Sequence, residues 1–397
     1  MSASLTITRT VRGTPAEAFR AFTHATALRD WLCNVAEVDA KPGGRFYLAW
    51  IDGQNTRGTY TAFEPGKRLA FTWDHTAHKG QTSIDVRFAT AKAGTRVTVR
   101  HTDTGKASAS LRDAWIAALE NLDSLLGDGI DLRVARRPRL GIFIGELTPE
   151  IAKKLGSPAQ GIRLEGTAPG SGAEAAGLKK DDVLVSFDGA PLTRPEDLTP
   201  LVTRRKAGDI VAVDVVRGGE RGRSELTLGH FPLPQIPATG AALAKRARSI
   251  HQRINADLNK KTRGLSDIKA ARPPKKGAWS VKQIVAHLIL TERDIQSWAA
   301  QMLNDREAGD DVEMRPNTPQ RVDAVVARFK TLTALRRELA LAQEETATLA
   351  ETLPRDFIAR RKHLYRRFAG WLVEITPGHF DEEHGDQLDH AVKTAKK

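Results

Sequence analysis

The sequence of 397 residues predicts a multi-domain α+β protein, because two joints divide it into segments of different secondary structure. The first joint is VARRPR at residues 134–139. The second is GHFPLPQIPATG at residues 229–240, whose prolines break both helix and sheet. Before the second joint, strand-like runs alternate with turns, and after it the pattern is helical throughout. We therefore predict domains at residues 1–136, 137–232 and 236–397.

The composition indicates globular domains and excludes several classes of protein. The net charge is +13, but Lys and Arg are spread along the whole chain, so we expect no nucleic-acid partner. The single cysteine excludes an intrachain disulfide and a cysteine-rich zinc site, which favours the cytoplasm. No apolar run approaches about 18 residues, and the first residues lack the pattern of a secretory signal. We therefore expect neither a membrane span nor a membrane partner.

The first segment predicts a curved antiparallel sheet wrapped around a long helix. LTITRTV alternates as a strand, and Thr14 and Glu17 have the spacing of a capping box that begins a helix running to about Trp31. Strand-like runs follow, separated by turns that contain Gly and Pro. The stretch SLRDAWIAALENLDSLLG then has Trp115 and Leu119 at helical spacing. Such a fold encloses a cavity.

Five stretches of this segment resemble the START-like (SRPBCC) superfamily: TPAEAFRAFT, LRDWL, KPGGRFYL, GTYTAFEPGKRLAFTW and AWIAALENL. The nearest branch is the one named for homologues of the activator of the heat-shock chaperone ATPase. The resemblance implies a helix-grip fold with a pocket for a small apolar molecule. The candidate pocket residues are Trp31, Phe46, Trp50, Tyr60, Phe71, Trp73 and Trp115. The alternative for each of them is a place in the ordinary core.

The second segment resembles the PDZ family, in particular the PDZ domains attached to bacterial proteases. The stretch GIRLEGTAPGSGAEAAGLKKDDVLVSFDG follows the family pattern, with Asp181 in place of the usual glycine before the aspartate. The resemblance implies a small β-barrel or sandwich with two helices. No Gly-x-Ser-x-Gly motif or Ser/His/Asp set accompanies it, so we expect no protease activity.

The PDZ resemblance implies that this segment captures the C-terminus of a partner protein. The peptide adds as a strand beside the one that begins at Ile142. Its carboxylate binds the backbone N–H groups of Leu140, Gly141 and Ile142, and Arg139 adds positive charge. The side chains expected to select the peptide are Ile142, Ile144, Leu198, Leu201 and Val202. The alternative is a PDZ domain that serves only as a spacer.

The third segment predicts a four-helix bundle from four amphipathic helical patterns. Two stretches, AWSVKQIVAHLILTERD and WLVEITPGHFDEEH, resemble the DinB-like superfamily of such bundles. In that superfamily a histidine of the second helix, here His287, commonly joins two histidines of the last helix around a divalent metal. The resemblance therefore implies a site for zinc, nickel or a similar ion.

The spacing of the last histidines departs from the family pattern, which places them four residues apart. His379 and His384 are five apart, which separates them by about 140° on a regular α-helix. Three arrangements remain open. A π-bulge absorbs the extra residue and restores the pair, or Glu383 joins His379 and His287, or these groups are solvated and bind no metal.

Together these segments predict a cytoplasmic, bacterial-type modular binding protein. Its parts are a pocket for a small apolar ligand, a PDZ domain for a protein C-terminus, and a bundle that holds a divalent metal if the spacing permits it. The alternative is a metal-dependent enzyme, a thiol transferase or hydrolase, whose site lies in the bundle. In that reading Asp381 is a further candidate ligand or base.

Overall fold

The structure is a computed structural model that describes residues 4–76, 80–230, 233–304 and 318–396, without the side chains of Lys106, Glu382 and Glu383. Two compact units divide the chain. One is Asp131–Leu233, and the other combines the chain before Asp131 with the chain after Leu233. The predicted fold class is confirmed, because an antiparallel sheet with helices is followed by a smaller sheet and then by a helical segment.

The first segment is an antiparallel sheet of seven described strands in the order β1-β7-β6-β5-β4-β3-β2. The strands are β1 (Leu5–Val11), β2 (Val35–Val38), β3 (Arg45–Ala49), β4 (Asn55–Glu64), β5 (Arg68–His75), β6 (Thr82–Ala91) and β7 (Gly94–Thr102). The helices are α1 (Pro15–Thr23), α2 (Ala25–Trp31) and α3 (Ser108–Asp128). Alternate residues of the strands are buried, as the period of a half-exposed sheet requires.

The beginning of α1 has the predicted capping box. The Thr14 side chain accepts the N–H of Glu17, and the Glu17 carboxylate accepts the N–H of Thr14 at 2.7 Å. The prediction of one helix as far as Trp31 is wrong, because His24 has an extended backbone (φ −112°, ψ 127°) and separates α1 from α2. The bend places both helices against the same face of the sheet, where Phe19, Phe22 and Trp31 join one hydrophobic core.

The second unit is a small sheet with short helices. Its strands are β8 (Ile142–Gly145), β9 (Ile162–Thr167), β10 (Val183–Phe187), β11 (Ala190–Pro191), β12 (Ile210–Arg217) and β13 (Glu220–Thr227). Its helices are α4 (Leu132–Ala135), α5 (Pro149–Leu155), α6 (Gly172–Ala175) and α7 (Leu198–Thr203). The order β13-β12-β10-β9-β8 places β8 at one edge, where it pairs with β9 alone among the described strands.

The third segment is helical. Its first helices are α8 (Gly240–Lys261), α9 (Asp267–Ala270), α10 (Val281–Leu303), α11 (Pro319–Phe329), α12 (Leu332–Glu351) and α13 (Arg355–Arg360). The third predicted helix is interrupted, because Lys330 has a positive φ of 53° that no right-handed helix contains, and Thr331 caps the next helix. None of the described helices combines the length and the apolar composition that crossing a membrane requires.

The last helical run changes its winding twice. It consists of α14 (Lys362–Gly370), a π-helical segment (Trp371–Ile375), α15 (Thr376–Gly378), a second π-helical segment (His379–His384) and α16 (Gly385–Lys396). Pro377 lies between the two π segments. Since proline has no N–H and its ring collides with the carbonyl four residues earlier, a regular α-helix cannot pass through it. The wider π winding accommodates it.

The first and third segments pack together through a buried ionic contact. Asp30 of α2 accepts from His363 Nε2 at 2.8 Å and from Arg367 Nη1 at 3.1 Å. In the same place Lys362 donates to the carbonyl of Gly127 at 2.6 Å. The pKa of Asp30 is lowered, because the His363 and Arg367 interactions outweigh the burial that would raise it. These contacts hold α14 against the first segment.

The bundle contains a buried polar layer formed by α8, α10 and α12. Thr346 donates to a carboxylate oxygen of Glu292 at 2.7 Å, and His251 Nε2 lies 3.6 Å from the other oxygen. Both ionisable residues are almost fully buried. Burial raises the pKa of Glu292 to about 7 and lowers the pKa of His251 to about 4.

These two pKa shifts predict opposite pH dependences of stability. The raised pKa of Glu292 lowers the free energy of unfolding as pH rises from about 4.5 to about 7, because the folded state must then bury a charge. The lowered pKa of His251 reduces it as pH falls from about 6.5 to about 4, because the unfolded state then binds the proton more readily. In the wild type the two effects nearly cancel.

When one of these two residues is replaced, the pH dependence of the free energy of unfolding that the other causes becomes measurable. In Glu292→Gln the free energy of unfolding should rise by about 3 kcal/mol between pH 4 and 6.5, and in His251→Leu it should fall by a similar amount between pH 4.5 and 7. Urea unfolding of both variants and the wild type across this range measures the slopes. Parallel pH profiles of the two variants would contradict the prediction.

Candidate functional site

His287 lies on α10, which begins at a capping box formed by Ser280 and Gln283. Ile284 and Val285 of the same turn are buried in the bundle core, and they fix the rotation of the helix. His287 is itself buried, with 4% of its surface exposed. A histidine in this place needs either polar partners or a ligand, because its ring nitrogens are removed from water.

The second π-helical segment brings His379 and His384 to one face. A π-helical turn joins residues five apart by its backbone hydrogen bond, so residues with that spacing lie nearly above each other. This is the first of the three arrangements that the sequence leaves open. Between the two histidines, Phe380 is buried in the bundle core and anchors the segment there.

The three imidazoles converge on a common point. His379 Nε2 lies 3.2 Å from His287 Nε2 and 3.1 Å from His384 Nε2. One nitrogen atom from each residue lies within 4.8 Å of the others. Two nitrogen ligands that are each about 2.1 Å from one ion lie about 3.0 to 3.4 Å apart in octahedral or tetrahedral geometry. The donor set therefore fits a divalent metal that accepts imidazole, such as zinc or nickel.

Two neighbours fix the orientation of these rings. His384 Nδ1 lies 3.0 Å from the side-chain oxygen of Gln387, and since that oxygen only accepts, Nδ1 is the donor. The Nε2 lone pair of His384 therefore points to the cluster, which is the arrangement that metal-bound histidines need. On the other side, the ring of Trp279 lies 5.0 Å from that of His287 and 6.2 Å from that of His384.

The remaining candidates near the cluster lie in different places. Asp381 is not part of it, because Arg253 of α8 binds both of its carboxylate oxygens at 2.9 and 2.8 Å. This ion pair instead fixes the last helical run against α8. The side chain of Glu383 lies outside the residues that the structure describes. His390 is exposed on α16.

The second unit has an edge that is open to an added strand. Phe143 and Ile144 of β8 are about half exposed, and Ile142 is partly buried. On α7, Leu198 and Val202 are buried in the core of the unit, and Leu201 packs against that core. The sequence did not single out Phe143, although its place between two predicted contacts on an edge strand was a usable signal.

The loop before β8 is held by its carbonyl groups. The carbonyl of Gly141 accepts from Ala168 N at 2.8 Å and from Ser171 Oγ at 3.2 Å, and the carbonyl of Leu140 accepts from Ala173 N at 3.0 Å. Gly141 has a φ of 82°, and a Cβ atom there would lie 2.2 Å from that of Ser171. Glycine is therefore required at this position. The backbone of Arg139 pairs with Gly229 and closes the base of the loop.

The first segment contains a small cavity between its sheet and its helices. Five of the seven predicted aromatic residues line it, namely Phe46, Tyr60, Phe71, Trp73 and Trp115. The sequence missed four apolar residues of the lining, Phe22, Leu28, Leu32 and Leu48. The cavity volume is about 10 Å³, which is room for about one water molecule.

Trp31 and Trp50 do not line this cavity. Trp50 packs its ring against Trp73 and His75 and donates its indole N–H to the carbonyl of Leu32 at 2.7 Å. Trp31 donates to the carbonyl of Ala21 and lines a different cavity of about 40 Å³, where α1, α2 and α3 meet α13 and α14. Their spacing along the chain did not distinguish these places, because aromatic residues of the core share the same period.

Family comparisons match the chain in three places. Residues 12–127 match the family described as Activator of Hsp90 ATPase homolog 1-like protein, residues 138–228 match the PDZ domain, and residues 232–384 match the DinB superfamily. We call these three matched stretches the activator-like module, the PDZ module and the DinB module. These are the three resemblances that the sequence motifs indicated, in the same order.

The curated relatives resemble only part of the chain. A protein of Rhizobium meliloti (strain 1021), named as a probable periplasmic serine endoprotease of DegP-like type, is 34% identical over 129 residues, which cover 32% of this chain and 25% of the relative. The magnetosome formation protease MamE of Paramagnetospirillum magneticum is 28% identical over 110 residues, which cover 28% of this chain and 15% of that protein. The chain therefore spans a quarter or less of the length of either relative.

Solved structures also resemble part of the chain. A protein from Mesorhizobium loti is 22% identical, covers 31% of this chain and 96% of its own, and has a TM-score of 0.29. A structure described as an HSP90 activator from Plasmodium falciparum is 24% identical, with the same coverage and a TM-score of 0.27.

Proposed function

We propose that this protein is a modular binding protein whose DinB module holds a divalent metal on His287, His379 and His384. The observation that supports this proposal most is the convergence of three imidazole nitrogens at 3.1 and 3.2 Å. Three lone pairs at this separation repel one another unless a proton or a cation lies between them. A zinc or nickel ion supplies that charge and accepts all three nitrogens.

Elemental analysis of the full chain, purified without a nickel column, tests this proposal. We expect about one zinc or nickel ion per chain, lost on dialysis against a chelator and regained on addition of the metal. A metal content at the background level, before and after addition, would contradict the proposal.

The PDZ module is proposed to bind the C-terminus of a partner protein. Its open edge at β8 and its glycine at a positive φ support this proposal. Part of the chain is similar to relatives that are named as proteases. Because proteases act on proteins, a protein terminus is a suitable class of partner. A C-terminal peptide display identifies ligands, and each selected peptide must bind better than its amidated form, since amidation removes the carboxylate.

Replacement of Gly141 by alanine is expected to lower the affinity for the selected peptide by about tenfold or more. The added Cβ collides with the Ser171 side chain, and the alanine backbone is strained at the positive φ of this position. The carboxylate-binding loop therefore moves. Gly170→Ala is the matched control, because Gly170 has a similar φ of 71° but no atom within 4 Å of an added Cβ. Fluorescence anisotropy with a labelled peptide measures both variants, and equal affinities would refute this role of Gly141.

The activator-like module is proposed to hold a small apolar ligand in the cavity beside Trp73 and Trp115. The lining is aromatic and aliphatic throughout, which supports an apolar occupant. The proposed compartment is the cytoplasm, because a chain with the single buried Cys33 forms no intrachain disulfide that would need an oxidising environment. Cell fractionation with an antibody against the chain tests this location.

A second candidate function is metal-dependent catalysis in the DinB module. Three protein ligands leave at least one coordination position open, as catalytic sites do. A bound metal lowers the pKa of a coordinated water or thiol and makes it a nucleophile. Hydrolysis or thiol transfer that disappears with the metal and in His379→Ala would favour this function over binding alone.

A further inference from the structure

Two hydrogen-bond donors that the described residues leave unpaired belong to the lining of the cavity in the activator-like module. Trp73 is 6% exposed, and its Nε1 atom has no hydrogen-bond partner in the described part of the chain. Tyr60 is 3% exposed as a whole residue, and its hydroxyl, which is not fully buried, makes no hydrogen bond with the described residues. Both residues line the cavity. A buried indole N–H normally finds a partner, so that of Trp73 requires an explanation.

The neighbouring tryptophans show that this core can satisfy such groups. Trp31 donates to the carbonyl of Ala21 at 2.8 Å, and Trp50 donates to the carbonyl of Leu32 at 2.7 Å. Trp115 donates to His101 Nδ1 at 3.3 Å, which makes His101 Nε2 the donor to Thr82 at 2.8 Å. The acceptor is therefore absent at Trp73 specifically, in a core that otherwise supplies one to each indole.

The strand register brings the two residues close together. Tyr60 of β4 lies opposite Phe71 of β5, and Trp73 follows Phe71 by two residues on the same face. Diagonal neighbours of this kind have Cα atoms about 7 to 8 Å apart, within reach of aromatic side chains. Phe46 packs against both rings, with centroids 5.5 Å from Tyr60 and 6.1 Å from Trp73. One acceptor group between them can thus meet both donors.

The chemistry of the lining defines which acceptor fits. No charged side chain lines this cavity, so a carboxylate or phosphate would lose its hydration without an opposite charge to replace it. Burial also raises the pKa of Tyr60, which keeps its hydroxyl protonated and able to donate. The Trp73 indole only donates and the Tyr60 hydroxyl can donate as well as accept, so a neutral oxygen with two lone pairs fits both groups.

We propose that Tyr60 and Trp73 form a two-donor recognition site that selects, among apolar molecules, those carrying a neutral carbonyl oxygen. This inference rests on the proposed function of the activator-like module as a ligand-binding domain, and it names the ligand class. A molecule larger than water must move the aromatic walls apart, because the cavity has a volume of only about 10 Å³. Binding therefore changes the surroundings of Trp73 directly.

Acetophenone and α-methylstyrene test the selection, because they differ in shape only by an oxygen in place of a CH₂ group. The full chain is labelled with ¹⁵N-tryptophan, and the indole N–H signals are followed as each compound is added. Trp73 is one of seven tryptophans, and its signal is assigned by its loss in Trp73→Phe. We expect acetophenone to move the Trp73 signal downfield and to bind at least about tenfold more tightly than α-methylstyrene.

Conservative variants separate the donors from the shape of the cavity. Tyr60→Phe and Trp73→Phe each remove one donor and should reduce the preference for acetophenone, whereas Trp50→Phe, which removes an indole already bonded to Leu32, should keep it. Equal affinities of the wild type for the two compounds would overturn the inference and leave the proposed pocket intact. If neither compound shifts any indole signal, the cavity is not a ligand site, and the proposed function of this module fails with the inference.

Discussion

Replacement of His384 by alanine is expected to lower the affinity of the DinB module for zinc by more than about 100-fold. His384 presents its Nε2 lone pair to the cluster because its Nδ1 donates to Gln387, and the π-helical segment turns the ring toward His379. Loss of one of three imidazoles removes a large share of the binding energy, since even the partners that orient a ligand contribute 10- to 100-fold. Competition titration against a fluorescent chelator measures the affinity.

Two other substitutions in the same run of residues complete this test. His390→Ala removes an exposed histidine of α16 and should leave the zinc affinity unchanged. Glu383→Gln tests the alternative in which a carboxylate joins His287 and His379, and it should also have little effect. If Glu383→Gln weakens zinc more than His384→Ala does, the carboxylate is the third ligand and the assignment of His384 is wrong.

Replacement of Asp182 by alanine is expected to lower the free energy of unfolding of the PDZ unit by about 3 kcal/mol. Asp182 is fully buried and binds Arg217 through both carboxylate oxygens, at 2.6 and 2.7 Å. It also accepts the backbone N–H of Lys179 at 2.8 Å. Alanine leaves that N–H without its acceptor. The loss remains moderate because the Arg217 side chain is half exposed and regains water.

The neighbouring carboxylate provides the control. Asp181 has a φ of 70°, and its side chain binds Arg163 at 2.7 Å. In Asp181→Gly the loss of this ion pair is offset by the relief of a strained backbone, so the change should stay below about 1 kcal/mol. Urea unfolding compares the two variants. A cost for Asp182→Ala no larger than that for Asp181→Gly would show that the buried ion pair does not stabilise the unit.

Local patterns made much of this fold predictable. The spacing of Thr14 and Glu17 predicted a capping box, and that prediction is confirmed, because a cap depends on residues three positions apart. The fold class and the three family resemblances followed from sequence motifs in which turn residues and helix-forming residues stand at fixed distances from one another. The breaks at His24 and Lys330 were not predictable in this way, because neither residue is a glycine or proline and each break depends on the packing of the helices beside it.

The candidate metal site depended on one local irregularity. The sequence supplied the three histidines and the five-residue gap, but a regular helix would have separated His379 from His384. The sequence carried no local signal for this wider turn, because Pro377 disturbs the turn that precedes it and the histidine segment follows it. The unpartnered indole N–H of Trp73 had no sequence signal, because whether a buried group finds an acceptor is decided by the whole core.

X-ray absorption spectroscopy of the zinc-loaded full chain tests the three-histidine site, because it counts the imidazole rings around the ion. We expect a first shell of nitrogen or oxygen atoms at about 2.0 to 2.1 Å, with outer-shell scattering from three imidazoles that falls to two in His384→Ala. A zinc shell with two imidazoles in the wild type, unchanged in His384→Ala, would contradict the three-histidine site.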